Sequence, residues 1–267
     1  VAITDSRDAP PALDALRAEL PDVAVMLGGF DDAAFAAADV VIVGPGLPLS
    51  TPAVAKAVAG GIPVVGDVEL FAKAVQAPVA GITGTNGKST VTTLLGQMAL
   101  AAGKRTGVGG NLGEPVLSLL ADDVELYVIE LSSFQLETTY SLPLLVATVL
   151  NLSPDHMDRY PDMAAYAAAK QRIFRHAASA VVNRDDASSV RLAAGVNEQT
   201  GFTLSTPATP EDWGVCDHRG AAWICRGEEP VLPVDDMVLP GTHNLANALA
   251  ALALGERCGL PREPMLD

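Results

Sequence analysis

Long apolar runs are missing from this 267-residue chain. The longest, Leu142 to Leu152, is interrupted by Pro143, Thr148 and Asn151. It is too short to cross a bilayer and reads as a buried strand. No leader is expected either, because no basic stretch precedes an apolar segment at the start, where Asp5, Arg7 and Asp8 come at once. The expected location is therefore the cytoplasm, without membrane insertion. Cysteine is scarce: Cys216, Cys225 and Cys258 are an odd set that makes no even disulfide framework. Cys216, His218 and Cys225 lack the paired C-x-x-C spacing of a zinc site and read as ordinary residues of a β-rich segment. Basic charge is also scarce, with 17 Lys and Arg against 32 Asp and Glu and a formal net charge of −15. That balance argues against nucleic acid as a partner, since a phosphate backbone demands a basic surface. Small anions stay open, because a few local cations, helix N-termini and a divalent metal can hold them.

The residues that are present describe a globular protein long enough for two domains, 49% hydrophobic and 18% charged. Strand and helix signals alternate from the start. Strands are expected at 1–4, 23–26, 40–43 and 63–65, with helices at 11–20, 51–59 and 68–75. Such alternation implies a parallel sheet with crossover helices. Gln76-Ala77-Pro78 then marks a boundary, giving domains 1–77 and 78–267. In the second, Glu125–Leu131 and Val146–Leu152 are nearly continuous apolar runs suited to buried central strands. Residues 163–176 and 243–258 read as helices and 179–182 as a strand. From Gly201 to Leu239 short strands with Pro and Gly turns suggest an antiparallel flap. The fold class is α/β: a small Rossmann-like N-terminal domain and a central domain with a mainly parallel sheet and a small antiparallel flap.

Between the apolar run Pro78–Thr83 and the helical pattern Val91–Ala102 stands Gly84-Thr85-Asn86-Gly87-Lys88-Ser89-Thr90. A strand, a glycine turn with Lys-Ser-Thr and a helix make a phosphate cradle. Backbone N–H groups face the anion, Lys88 reaches the outer phosphates and a hydroxyl can ligate magnesium. Ile82 stands where the general P-loop pattern has its first glycine. In a parallel α/β sheet ligands gather at the carboxyl ends of strands. Glu130 and the pair Asp155-His156 fall at such ends. Glu130 there is a magnesium ligand or a satisfied polar group. Lys170 is anomalous, because Met163, Tyr166, Lys170, Ile173, Phe174 and Ala177 share one helical face while Arg172 and Arg175 point away. Either its ammonium snorkels to water or it is a buried amine with a depressed pKa.

Six motifs then occur in order: G-T-N-G-K-S-T, G-G-N-L-G, E-L-S-S-F-Q-L-E, D-H-M-D-R-Y, A-A-K-x-R-I-F and G-x-H-N-x-x-N-A-L-A-A. Together they resemble the Mur ligases, the ATP-dependent amino-acid ligases of peptidoglycan synthesis, across essentially the whole chain. E-L-S-S-F-Q-L-E followed by D-H-M-D-R-Y is similar to the MurD type, which joins glutamate to UDP-N-acetylmuramoyl-L-alanine. The resemblance implies that ATP phosphorylates the substrate carboxylate and that the amine of D-glutamate attacks the acyl phosphate. By motif position it implies Gly84 to Thr90, Asn244 and Asn247 at ATP, and Ser89 and Glu130 on one magnesium ion. His156 and a carbamylated Lys170 would serve a second, with Lys88, Lys170 and His156 catalytic. Asp5, Ser6, Arg7, Gly110, Asn111, Ser132, Gln135 and His156 match positions that contact the UDP-muramoyl substrate. Phe134 and Leu136 read as core, and Asn244 is also placed to cap its helix.

Members of this type carry a further βα unit before the first strand seen here and a third domain after the last helix. A truncated monomer, inactive alone, is expected. Relatives that add L-glutamate, other Mur ligases and folylpolyglutamate synthetases are the alternatives within the superfamily. The Ser132–Gln135 run argues against the last two. A P-loop ATPase driving motion would leave His156 and Lys170 without a purpose. A nucleotide-sugar binding module without catalysis is the remaining alternative.

Overall fold

The computed structural model describes residues 1–266. The chain divides into two compact units, residues 1–66 and a second unit beginning at Asp67. In the first, β1 (Ala2–Asp5) and β2 (Ala24–Leu27) pair in parallel through α1 (Leu13–Glu19). Helix α2 (Asp32–Ala36) follows, and a second parallel pair, β3 (Val41–Ile42) and β4 (Val64–Val65), is joined by α3 (Pro52–Ala59). The sequence reading missed α2, although Asp31 caps it by accepting from the N–H groups of Ala33 and Ala34. Phe35, Val41, Val43, Val54, Ala57 and Val64 form the unit's core. A single Rossmann-like sheet was expected, but the strands stay in two separate pairs. The reason is local. Strands β3 and β4 are two residues long, and no residue of β1 or β2 is fully buried.

The second unit opens with α4 (Asp67–Ala74), whose Phe71 packs edge-on against Tyr127 with ring centroids 5.2 Å apart. The helix thus belongs to this unit, and the division falls before Asp67 instead of near residue 78. Then come β5 (Val79–Thr83), α5 (Lys88–Ala101), β6 (Thr106–Gly110), β7 (Leu126–Glu130), α6 (Ser133–Glu137) and β8 (Leu144–Val149). They are followed by α7 (Met163–Gln171), β9 (Ala177–Asn183), α8 (Ala187–Leu192) and β10 (Glu198–Phe202). Strands β11 (Trp213–His218), β12 (Ala221–Arg226) and β13 (Glu229–Pro233) and helices α9 (Thr242–Arg257) and α10 (Arg262–Leu266) complete the unit.

These nine strands make one sheet in the order β13-β12-β11-β10-β9-β8-β5-β7-β6. From β10 to β6 every pairing is parallel. The expected flap is not separate: β11 joins β10 in parallel at Phe202 and Trp213, and only the β11–β12 and β12–β13 pairings are antiparallel. The three cysteines are likewise not all unlinked. Cys216 and Cys225 form a disulfide, because the hairpin register brings their Cα atoms to 6.1 Å, a separation that a disulfide spans. Cys258 is free, and burial pushes its thiol up to about 12.

Side chains alternate along the central strands and fill two cores. Ala80, Ile82, Val128, Val146 and Val181 face Val91, Leu95 and the apolar side of α9. Val79, Tyr127, Ile129, Ala147 and Val182 face α4, Leu136 of α6 and Ile173. Strands buried on both faces need no polar alternation, which is why they read as apolar runs. Among the described residues no helix is long and apolar enough to cross a membrane.

Glu69 of α4 is buried without a cationic partner at hydrogen-bond distance. Its carboxylate accepts from the N–H of Tyr140 (2.7 Å) and of Ser141 (2.9 Å) and from the Ser141 hydroxyl (2.6 Å). Burial raises its pKa, but these hydrogen bonds, with Lys73 adding a smaller pull, outweigh burial and hold it below the ordinary value. A lowered folded pKa gives stability that is present above the unfolded value and lost as pH falls through the folded one. Denaturant titration should therefore show Glu69→Gln flattening the acid limb below about pH 4.5. Glu69→Leu, which orphans two N–H groups, should cost about 3 kcal/mol at neutral pH.

Candidate active site

The loop between β5 and α5 is held from two sides. Gly87 caps α5 at φ 84°, where a side chain is strained, and the space a Cβ would need is filled by the amide of Asn247 from α9. From the end of β8, Asn151 accepts the Thr85 N–H on its carbonyl (3.1 Å) and the Asn86 N–H on its Oδ1 (2.8 Å). Its Nδ2 donates to the Asn86 carbonyl at 3.0 Å. Lys88 folds back so that Nζ donates to the Thr85 carbonyl at 3.0 Å, and Thr90 is half-buried in the first turn of α5.

Beside this loop, at the end of β7, lies the buried carboxylate of Glu130. It accepts from Ser89 Oγ and from Asn111 Nδ2, each at 2.8 Å, and its main-chain carbonyl accepts from the Asn111 N–H at 2.9 Å. Gly110 sits at φ 108°, and a Cβ there would collide with that carbonyl. Ser89, Gly110, Asn111 and Glu130 thus form one cluster. Its hard oxygen donors, a hydroxyl and a carboxylate, suit a magnesium ion that also takes oxygens from phosphate and water.

Lys170 is 2% exposed. Its Nζ donates to the carbonyl of Gly84 at 2.9 Å and to Thr83 Oγ1 at 3.3 Å, so the amine points at the glycine loop and does not snorkel. Burial first and the charge of Lys88 second pull its pKa down to about 7, with Asp155 and Glu130 opposing. Tyr166, one turn earlier on α7, places its ring 4.8 Å from Nζ and its hydroxyl 3.4 Å from Thr85 Oγ1. On the other side its ring lies 6.4 Å from the His156 imidazole. His156 adopts φ 54°, rare for a residue with a Cβ, in a turn where its carbonyl accepts from Arg159 (2.9 Å) and Tyr160 (3.0 Å). The imidazole packs on Phe134 at 4.9 Å and meets Asp155 Oδ2 at 3.5 Å.

Several expected residues are engaged elsewhere. Ser132 and Gln135 form a capping box at the start of α6. The Ser132 hydroxyl accepts the Gln135 N–H, and Gln135 Oε1 accepts the Ser132 N–H. Asn244 donates Nδ2 to the Pro240 carbonyl at 2.9 Å, ahead of its own helix. Asp5, Ser6 and Arg7 lie in the first unit, where Arg7 pairs with Asp5 at 2.7 Å and holds its carboxyl down to about 2. Asn151, Tyr166 and Thr83 went unread as site residues. Asn151 carried a usable signal, being an amide that interrupts an apolar run near a strand's carboxyl end. The other two had none beyond proximity in space.

Comparison with known proteins addresses the family of the chain. The profile described as "Mur ligase middle domain" matches residues 82–255, and that described as "Mur ligase MurD-like, N-terminal domain" matches residues 1–66. The UDP-N-acetylmuramoylalanine–D-glutamate ligase of Nitrosococcus oceani is 54% identical over 100% of this chain and 59% of its own length. That of Pseudomonas aeruginosa is 51% identical over 99% and 59%. The chain thus spans about three fifths of the length of these relatives. Among solved structures, the UDP-N-acetylmuramate:L-alanyl-gamma-D-glutamyl-meso-diaminopimelate ligase of Neisseria meningitides superposes with a TM-score of 0.64 at 21% identity, over 99% of this chain and 88% of that one. The UDP-N-acetylmuramoylalanyl-D-glutamyl-2,6-diaminopimelate–D-alanyl-D-alanyl ligase of Acinetobacter baumannii gives 0.59 at 17%, over 99% and 61%. At such identities these two speak for the fold alone.

The packing of Gly87 yields a test that needs no substrate. Gly87→Ala both occupies the place of the Asn247 amide and strains φ, so thermal denaturation should show a loss of about 2 kcal/mol. Asn247→Ala makes room for the added methyl, and combining the two changes should return part of that loss.

Proposed function

Because the chain belongs to the Mur ligase family, we propose that it carries the ATP site and most of the nucleotide-sugar site of a cytoplasmic, monomeric UDP-N-acetylmuramoyl-L-alanine:D-glutamate ligase of peptidoglycan synthesis. The observation that carries the reading is the buried Lys170 amine, directed at the glycine loop and held near pKa 7. We read Gly84–Thr90 as a P-loop. Its backbone N–H groups and the N-terminus of α5 receive the phosphates, and Lys88 supplies positive charge to the transferring phosphoryl group. A substrate carboxylate oxygen bonds to the terminal phosphorus as the bond to ADP breaks. The glutamate amine then bonds to the acyl carbon, phosphate departs with the bonding electrons, and the amine gives up a proton.

Magnesium, held by Ser89 and Glu130 at one position and by His156 and a carbamylated Lys170 at a second, would neutralise charge between the two polyanions. An ammonium at Lys170 would oppose a cation there. The neutral amine, populated near pH 7, can bond to carbon dioxide and lose a proton, leaving an anionic oxygen donor. Asn247 lies on the nucleotide side of the loop, and Asn111 beside Glu130 is on the substrate side. Asp5, Ser6 and Arg7 serve the uridine diphosphate, and Gln135 keeps its Nε2 for substrate while its Oε1 serves the cap. Asn244 is assigned to the nucleotide by motif position alone.

The test is phosphate release by the full-length protein with UDP-N-acetylmuramoyl-L-alanine, offering D- or L-glutamate. Turnover with D-glutamate alone is expected, and turnover with L-glutamate alone would replace the acceptor. No turnover with either would overturn the reading. Lys170→Ala should lower kcat by at least about a thousandfold, bicarbonate should not restore it, and small carboxylates should restore part. Near-normal rates in Lys170→Ala would remove the carbamate from the proposal.

A further inference from the structure

Arg172 does not point away from the helix as the wheel implied. Helix α7 ends at Gln171 and tightens into a 3₁₀ turn over Arg172–Phe174, which swings the half-buried guanidinium toward α6. There Nε donates to the Leu136 carbonyl at 2.5 Å and Nη2 donates to the Thr139 carbonyl at 2.9 Å. The plane lies over the Tyr140 ring at 5.1 Å. The Leu136 carbonyl stands in the last turn of α6, where it also accepts the Thr139 N–H at 3.3 Å, and the Thr139 carbonyl lies two residues past the helix, so a planar, two-pronged cation meets the negative end of a short helix. The Tyr140 segment is itself anchored, by Glu69 from α4 and by His176, whose Nε2 lies 2.8 Å from the Tyr140 carbonyl.

Helix α6 is also held by Leu136 in the second core and by its Ser132–Gln135 capping box. It is five residues long and leaves β7 immediately after Glu130-Leu131. Its other ties to the α7 side are the Arg159–Glu137 pair at 3.3 Å and the packing of Phe134 against His156 and Tyr160. Arg172 lies two residues past Lys170. One end of α6 is therefore covalently fixed to the Glu130 cluster, and the other is fixed by Arg172 to the backbone that carries Lys170.

We propose that Arg172 is a positioning residue that locks α6 against the Lys170 turn, setting Ser132, Phe134 and Gln135 in register with the lysine and His156. The role in turnover rests on the ligase reading; the lock itself does not. Its loss should therefore appear in the nucleotide-sugar substrate more than in ATP, whose loop is held by Asn151 and Asn247 instead.

The experiment uses the full-length protein with Arg172→Lys, which keeps the charge but cannot donate to both carbonyls in one plane, and with Arg172→Ala. Amide hydrogen exchange, read without substrates, should rise across residues 133–139 in both variants while α5 keeps its protection. KM for UDP-N-acetylmuramoyl-L-alanine should rise about tenfold or more in Arg172→Lys, with KM for ATP changing less than about twofold. Guanidinium ion at non-denaturing concentration should restore part of the KM in Arg172→Ala, and potassium at equal ionic strength should not. Unchanged exchange across 133–139 in Arg172→Lys would overturn the proposal, and so would equal rises in both KM values accompanied by a lowered Tm. A wild-type protein without ligase activity would defeat the ligase reading and leave the exchange result to decide the lock.

Discussion

The register between β5, β7 and β8 is the constraint on which everything else in the larger unit rests. Ile82 pairs with Glu130, Thr83 with Val149, and Gly110 with Glu130. That alignment ends three neighbouring strands at one level, so the glycine loop, the Glu130 carboxylate and Asn151 emerge side by side. A slip of one residue along β7 would carry Glu130 to the opposite face of the sheet, away from Ser89 of α5, and bring a hydrophobic neighbour in its place. The two apolar faces forbid that slip, because Val128 and Ile129 belong to different cores.

The site answers a problem set by overall charge. With a formal net charge of −15 the molecule repels polyanions at a distance. Local positive character at the glycine loop comes from the N-terminus of α5 and from Lys88, while the buried Lys170 amine reaches the same loop. Lys88 donates to the carbonyl of Thr85 and Lys170 to that of Gly84. Burial first and the charge of Lys88 second lower the pKa of the buried Lys170 amine.

Much of this arrangement was legible in the sequence, and the unread part has physical reasons. The glycine loop, Glu130 and the lysine on an apolar face were visible because each breaks a pattern: a turn between two apolar elements, an acid inside a buried run, a cation on a buried stripe. Strand β6, rich in glycine at the sheet's edge, has no apolar periodicity to give it away. The extension of the sheet past β10 depends on one long-range pairing, Phe202 with Trp213, to which local texture is blind. Helix α6 was hidden by its length, although S-x-x-Q spelled its cap. Tyr166, Asn151 and Arg172 matter through what they touch in space, and the wheel misplaced Arg172 because the helix stops being an α-helix one residue before it.

The seat of Asn247 against Gly87 also bears on the order in which the molecule is made. The two residues are distant in the chain, and α9 follows every strand of the sheet. A nascent chain emerging from the ribosome can form β5 and the start of α5 early, yet its glycine loop lacks one wall until α9 has been synthesised and docked. The finished shape of that loop is in this sense a late acquisition of biosynthesis, arriving with the last long helix.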